Sequence, residues 1–464
     1  MPSAPSGQAS SRTPAPGWRA LLSAGLYFGL CLLTLGEALT GWPADSRPLG
    51  LGLFLFLALE LTGTSRMIAA SAAVLIALGL IAGGGSPALL LLDGAVRTLP
   101  FLVLFLAVLC LQGPALRSPT LRRIGDYAAH QPTGRRFLGF ALAGHLLGAV
   151  LNMAGLLLVL SLLDPKLSPS ARLRLTTGAM RGFSAAAIWS PVFVAMSVVL
   201  SVLPGLRWSG IAWRAILLAA AVLALAWLWN AMQRSSEAGG TAGSAPARPP
   251  GTTWLAAAAI LSALLVPVIL LFEVYHFSIP IALGLVAPVM AAIWQGAQGP
   301  AGERAPAVSR RAAAVFAALP GLRNEALLFF AANVFGLGLS AWVDPAALAG
   351  LLEILPGHAI RIPVLVLFGI LLAGLGVHPI VVVVAVGNVL SPAVLGLSVT
   401  EVALVLLVIW GLGTAMSPFS GTILQVARLT NTSPFTIAWR WNAPFCLAAA
   451  IPVSAALALL GGLG

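Results

Sequence analysis

Apolar runs of membrane length alternate along this chain with short polar or basic loops, and no segment shows the strict period-two alternation of a half-buried strand. About 20 apolar residues cross a bilayer as a helix. The runs near 18–39, 48–64, 67–85, 97–112, 175–203, 211–233, 253–272, 279–297, 323–341, 401–424 and 436–460 reach or approach that length. The pattern predicts an all-α polytopic membrane protein with about 11 transmembrane helices. Two further apolar runs are interrupted: 137–163 holds "GAVLNMAG" at 148–155, and 360–390 holds "GLGVHP" at 374–379.

Arginine placement gives the orientation, since Lys and Arg collect on the cytoplasmic side. Arg117, Arg122, Arg123, Arg135 and Arg136 precede the run 137–163, and Lys166, Arg172 and Arg174 follow it. A helix crossing there would put one basic stretch outside, whereas a re-entrant hairpin keeps both inside; the alternative is one long glycine-containing helix. The second interrupted run is flanked by Asp344 and Glu353 before it and by "SPAVLGLSVTE" after it, which fits a hairpin entering from outside. The N-terminus is expected inside.

The organisation follows from these signals. Residues 1–17 are a Pro/Ser-rich, disordered tail. The segment 18–47 is a first transmembrane helix and loop, read as retained because no small-residue cleavage site follows it. A first half spans 48–233, a Gly/Ala/Ser/Pro-rich flexible linker spans 234–252, and a second half spans 253–464.

The two halves resemble each other. "IAWR" occurs at 211–214 and again at 437–440, an offset of 226. "VRTLPFLVLF" at 96–105 matches "LRNEALLFFA" at 322–331, and with a one-residue shift Ser190-Pro191 aligns with Ser417-Pro418 and Asp164-Pro165 with Ser391-Pro392. The topology gives matched segments opposite directions, so the expectation is an inverted repeat. In such proteins solute sites lie near the midplane, where interrupted helices meet.

The Ser-Pro elements explain how a membrane helix is broken here. Proline removes a backbone donor and clashes with the carbonyl four residues earlier. The freed groups, helped by Ser417, Ser420, Gly421 and Thr422 in "MSPFSGTIL", can face a solute, and half-helix N-termini favour anions. The competing reading is a proline kink with Ser and Thr bonding their own backbone. The candidate site is Asn152 and His378-Pro379 at the hairpin tips with Ser190-Pro191, Ser417-Pro418, Ser420, Gly421 and Thr422 at the breaks. His378 either couples protons or binds solute, or is a packed core histidine. Arg181 is either a counter-ion for an anion or a side chain reaching the cytoplasmic surface. Asn333 either bonds a neighbouring helix or touches solute. Glu60 with Arg66, and Asp93 with Arg97, are expected as local pairs.

Composition changes the picture little. The chain of 464 residues is 59% hydrophobic and 8% charged, with mean hydropathy +1.00, which excludes a soluble domain. Its net charge of +12 comes from arginines dispersed between apolar runs, so they read as topology signals and no nucleic-acid partner is expected. Cys31, Cys110 and Cys446 lie in apolar segments without metal-ligand spacing. Neither a phosphate loop nor a nucleophile or acid/base cluster occurs, so an enzyme is not expected.

At the hairpins and breaks the chain resembles the ion transporter superfamily, and within it the divalent anion:sodium symporters and the large membrane subunits of tripartite periplasmic-type transporters. The resemblance covers roughly residues 48–460 and is architectural. Where the symporters carry Ser-Asn-Thr at the hairpin tips, this chain has "LNM" at 151–153 and "VHP" at 377–379; "SPVF" at 190–193 and "SPFSGT" at 417–422 stand in for their Thr-Pro breaks. The departure weakens the case for sodium.

The resemblance implies an elevator-type secondary transporter for a small organic anion, such as a carboxylate, in the cytoplasmic (inner) membrane of a bacterium. H⁺ or Na⁺ would be the coupling ion, with no other cofactor. Expected partners are a small anionic solute and membrane lipid. A homodimer, and a periplasmic binding protein with a small membrane subunit, are left open. An inorganic oxyanion exporter and, in another class, a membrane-embedded enzyme acting on lipid are the competing functions.

Overall fold

A computed structural model describes residues 17–42, 45–129, 131–164, 167–233, 248–355 and 357–461. The predicted tail lies outside these residues apart from position 17, as do positions 234–247 of the predicted linker, Pro165 and Lys166. The described residues fold into helices and contain no strand.

The first helices are α1 (Trp18–Thr40), α2 (Arg47–Glu60), α3 (Arg66–Ala82) and α4 (Pro87–Arg117). The last begins ten residues before the predicted run and continues through Pro100 and Pro114. An amphipathic α5 (Pro119–Ala129) leads to α6 (Thr133–Leu151) and α7 (Met153–Ser161), then α8 (Pro169–Trp189), α9 (Val194–Val202) and α10 (Trp208–Met232). The second part runs through α11 (Gly251–Glu273), α12 (Ile279–Ala297), α13 (Arg304–Ala318), α14 (Arg323–Trp342) and α15 (Pro345–Leu352). It continues as α16 (His358–Gly374), α17 (Pro379–Val389), α18 (Pro392–Leu395), α19 (Val399–Met416), α20 (Gly421–Thr430), a π-helix (Thr436–Asn442) and α21 (Ala443–Gly461).

Among the described residues, nine helical stretches are long and apolar enough to cross a membrane. The two other predicted spans, 48–64 and 67–85, correspond to α2 and α3, of 14 and 17 residues. Each is shorter than the roughly 20 residues a crossing needs. The chain turns between them through a 3-10 turn at Leu61–Gly63. That turn is fixed from α14: Arg323 Nε donates to Gly63 O at 2.7 Å, its Nη1 reaches Glu60 at 3.1 Å, and Asn324 Oδ1 accepts from Ser65 N at 3.0 Å. Glu60 therefore pairs across the fold with Arg323, in place of the local pair with Arg66.

Helix ends obey local chemistry. Ser168 caps α8 by accepting from Ala171 N, and Ser398 with Glu401 forms a complete capping box on α19. Two apolar cores result. One joins α1 to α4 with α13 and α14 around Tyr27, Phe56, Leu102 and Phe330. The other gathers α6 to α10 and α16 to α21, with one face each of α4, α5, α11, α12 and α14 packed into it.

Glycines let helices approach at backbone distance in the second core. A Cβ at Gly182 would overlap Ala141 O, one at Gly144 would overlap Ala179 O, and one at Gly411 would stand 2.7 Å from Ser184 O, so α8 packs closely on both α6 and α19. The order hairpin arm, hairpin arm, broken helix, long helix occurs at α6 to α10 and again from α16, with α7 and α17 starting at 153 and 379.

Candidate functional site

Each interrupted helix stops where proline prevents continuation. Helix α8 ends at Trp189, with Ser190 as its C-cap, and the chain resumes as α9 at Val194; Pro191 lies in the gap. Helix α19 ends at Met416, with Ser417 as its C-cap, and α20 begins at Gly421; Pro418 lies in that gap. The predicted hairpin runs turn at the predicted residues. Asn152 separates α6 from α7 with φ 50° and ψ −133°, outside the left-handed helical region and a conformation that favours glycine. His378 ends the turn between α16 and α17, where Gly376 has φ 105°.

The first hairpin and first break are bonded to each other. Asn152 Nδ2 donates to Val192 O at 3.1 Å, and Ser190 Oγ donates to Ala149 O. Both side chains are buried. Behind them, Trp208 Nε1 donates to Trp189 O at 2.9 Å and Trp189 Nε1 donates to His145 Nε2 at 3.1 Å. His145 Nδ1 lies 3.2 Å from Gly182 O, so the ring carries its proton on Nδ1 and serves as a packed, satisfied histidine.

At the second pair the polar groups turn toward their own segments. His378 Nδ1 accepts from Ile380 N at 3.2 Å and so caps α17, with Pro379 at the first helical position. Ser420 Oγ donates to Thr414 O at 2.7 Å and accepts from Ile423 N at 3.2 Å, capping α20. The buried Ser417 hydroxyl has no partner. Thr422 is buried and Gly421 exposed.

A cavity of about 420 Å³ opens at this second tip, lined by His378, Phe419, Met67 and Ser71 among others. Of the predicted site residues, His378 alone lines it. Aromatic rings close its surroundings. Phe419 packs against Phe435 with centroids 5.9 Å apart, Phe435 against Trp439 at 5.0 Å, and Trp439 Nε1 donates to Gly374 O at 2.9 Å. The two hairpin–break pairs approach one another where a Cβ on Gly421 would stand 4.0 Å from the Met153 methyl.

Arg181 and Asn333 lie apart from these tips. Arg181 is 4% exposed, which rules out the reading that it reaches the surface. Its Nη2 donates to Trp441 O in the π-helix at 3.1 Å, its guanidinium lies 4.3 Å over Phe445, and its Nε has no partner. A π-turn in a helix often marks a functional position. Asn333 Nδ2 donates to Thr98 Oγ1 at 3.2 Å, linking α14 to α4. Arg97 is engaged by Asn388 of α17 at 3.3 Å rather than by Asp93.

Sequence reasoning did not single out Phe419, Trp439, Met67 or Ser71. Phe419 stands inside the quoted "SPFSGT" and Trp439 inside the repeated "IAWR", so both had a signal; Met67 and Ser71 had none, since α3 reaches the tip only by tertiary packing. Among the described residues no group of three His, Cys, Asp or Glu side chains could hold a metal ion.

No family model matches the chain, and no curated protein matches its sequence. Among solved structures it is similar in fold to the YdaH transporter of Alcanivorax borkumensis, described as having an unusual topology. The likeness has 15% identity and a TM-score of 0.50, and covers 95% of this chain and 98% of that one. At that identity it is a likeness of fold.

Proposed function

We propose that this protein is a secondary active transporter that carries a small organic anion across the cytoplasmic membrane of a bacterium, coupled to protons and moving its hairpins and broken helices against a scaffold. The observation that carries the reading is the double arrangement: two helix hairpins, each seated beside a helix interrupted at Ser-Pro, within a bundle of membrane-length helices. Non-helical backbone at membrane depth is tolerated where protein or a water-filled cavity satisfies it. A fold shared with a transporter agrees with this reading.

The anion preference rests on charge. No Asp or Glu occurs in 374–379 or 416–424, where α17 and α20 begin. Helix N-termini attract negative charge. The first core of α1 to α4 with α13 and α14 would be the scaffold, and the second core the moving body.

The proton-coupling part of the reading rests on how His378 is used. Its Nδ1 lone pair holds the cap on Ile380 N, and a proton on that atom removes the acceptor. Protonation would therefore free the tip of the second hairpin. Uptake of labelled mono- and dicarboxylates into proteoliposomes, driven by an imposed pH or Na⁺ gradient, tests the reading. Uptake should follow the pH gradient and lose that dependence in His378→Ala; uptake that follows Na⁺ and survives the substitution would overturn proton coupling, and no uptake of any anion would overturn the transport reading.

A further inference from the structure

The end of α4 and the start of α13 enclose a basic pocket that takes no part in the hairpin site. Arg117, Arg310 and Arg311 line a cavity of about 360 Å³ together with Ala307 and Ala314, and no carboxylate is among its lining residues. The arginines are positioned by neutral groups: Arg310 Nε donates to Pro306 O at 3.2 Å and Arg311 Nη2 to Leu109 O at 3.0 Å. Arg311 Nε is buried without a partner. Gly113 permits this placement, because a Cβ there would overlap the Arg311 guanidinium. Three like charges beside a low-dielectric bundle repel unless an anion joins them.

A second cavity shares Arg311. It is a groove of about 750 Å³ along α1, α12 and α13, with walls that include Phe28, Leu106, Pro288, Val308 and Phe316. Gln295 also lines it, 5% exposed, with its Oε1 unpartnered. A cationic pocket opening onto an apolar groove matches a molecule with an anionic head and a hydrocarbon tail. Basic pockets between membrane helices on the cytoplasmic side recognise anionic lipid headgroups, and arginine placement in the sequence assigns this loop to that side.

We propose that this pocket and groove form a binding site for an anionic phospholipid, its phosphate held among Arg117, Arg310 and Arg311 and an acyl chain lying along Phe28 and Phe316. The site lies on α1, α4, α12 and α13, away from both hairpins, and is independent of what the protein transports. An occupying lipid would bridge the first core to α12.

The test uses the full chain, purified and delipidated in detergent. Phosphatidylglycerol, cardiolipin, phosphatidylcholine and inorganic phosphate are added separately, with thermal unfolding and lipid retention by native mass spectrometry as readouts. The anionic lipids should be retained and raise the unfolding midpoint, while phosphatidylcholine and phosphate should not. Arg117→Gln combined with Arg310→Gln should weaken anionic-lipid retention about 30-fold, since each arginine near an anionic headgroup is worth a factor of about five. Arg310→Lys, which keeps the charge, should retain the lipid.

Equal stabilisation by phosphatidylcholine would make the groove ordinary lipid-facing surface and overturn the proposal. A full effect of phosphate alone would make it a free-anion site, with the same consequence. So would wild-type retention in the double Gln variant. Should that variant fail to fold, the lipid series on the wild-type protein still decides.

Discussion

In the first hairpin the tip residue reaches across to its neighbour. Asn152 bonds Val192 O in the first break and Ser190 bonds back to Ala149 O, so hairpin and broken helix are tied by two side-chain bonds. In the second hairpin His378, 226 positions later, serves its own helix, and the hydroxyl of Ser417, the counterpart of Ser190, has no partner. Aromatic packing takes over the joining role there, with the Phe419 ring so close to Gly376 that a Cβ would meet it at 2.5 Å. The two hairpin–break pairs thus join their parts in different ways. The first pair is joined by polar bonds between its segments, whereas the second turns His378 and Ser420 onto their own segments and is joined by packing.

The sharpest way to break the comparison is at the glycines. Gly182→Val drives a side chain into the Ala141 carbonyl of the bonded pair, where a backbone clash should cost more than about 3 kcal/mol and abolish a monodisperse peak in size-exclusion chromatography. Gly421→Val in the second pair meets only the Met153 methyl, at 4.0 Å, and should fold. If both variants fold alike, the first pair is not the tighter one.

How much of this was legible in the sequence depends on the range of the interaction. The helix breaks at Ser190-Pro191 and Ser417-Pro418 were readable because proline acts on its own turn, and the hairpin tips because glycine and Asn punctuate an apolar run. The partner of Arg97 was not: the four-residue spacing pointed to Asp93, yet Arg97 donates to Asn388 of α17, far along the chain. Nor was the seat of Arg181 readable. Its partners Trp441 and Phe445 lie about 260 residues away in sequence, and no local pattern announces them.

An intermediate effect is expected at the tips themselves. Asn152→Ala leaves Val192 O without its donor and places alanine at φ 50°, which should cost about 1–3 kcal/mol. Asn152→Gly should recover the backbone part of that loss. His378→Ala removes only a cap, worth about 1 kcal/mol, and His378→Asn should restore it.

The cap also fixes the sign of the acid response. It is present while Nδ1 is unprotonated and lost as pH falls, so acidification should destabilise the wild type more than His378→Asn in thermal unfolding. His145, whose Nε2 accepts from Trp189, contributes the same background to both.

The smallest contrast lies in the two serines. Ser190→Ala should cost about 1 kcal/mol because Ala149 O loses its donor. Ser417→Ala should change stability by less than about 0.5 kcal/mol, since its hydroxyl has no bond to lose. Equal losses in the unfolding midpoint would place a partner on Ser417 and erase the distinction between the pairs.

The tetrapeptide "IAWR" is an ordinary α-helix at 211–214 in α10 and part of the π-helix at 437–440. Identical residues wound in two ways mean that the winding is set from outside the tetrapeptide. A π-turn accommodates one residue more than the α-helix it interrupts, and one residue is about 100° of rotation. Everything after Asn442 is therefore out of phase with the corresponding face of α10. Ala219 occupies in α10 the place that Phe445 takes in α21, and it is Phe445 that lies beneath the Arg181 guanidinium. The extra residue works as an angular offset: it turns α21 so that an aromatic face meets the buried Arg181 of α8.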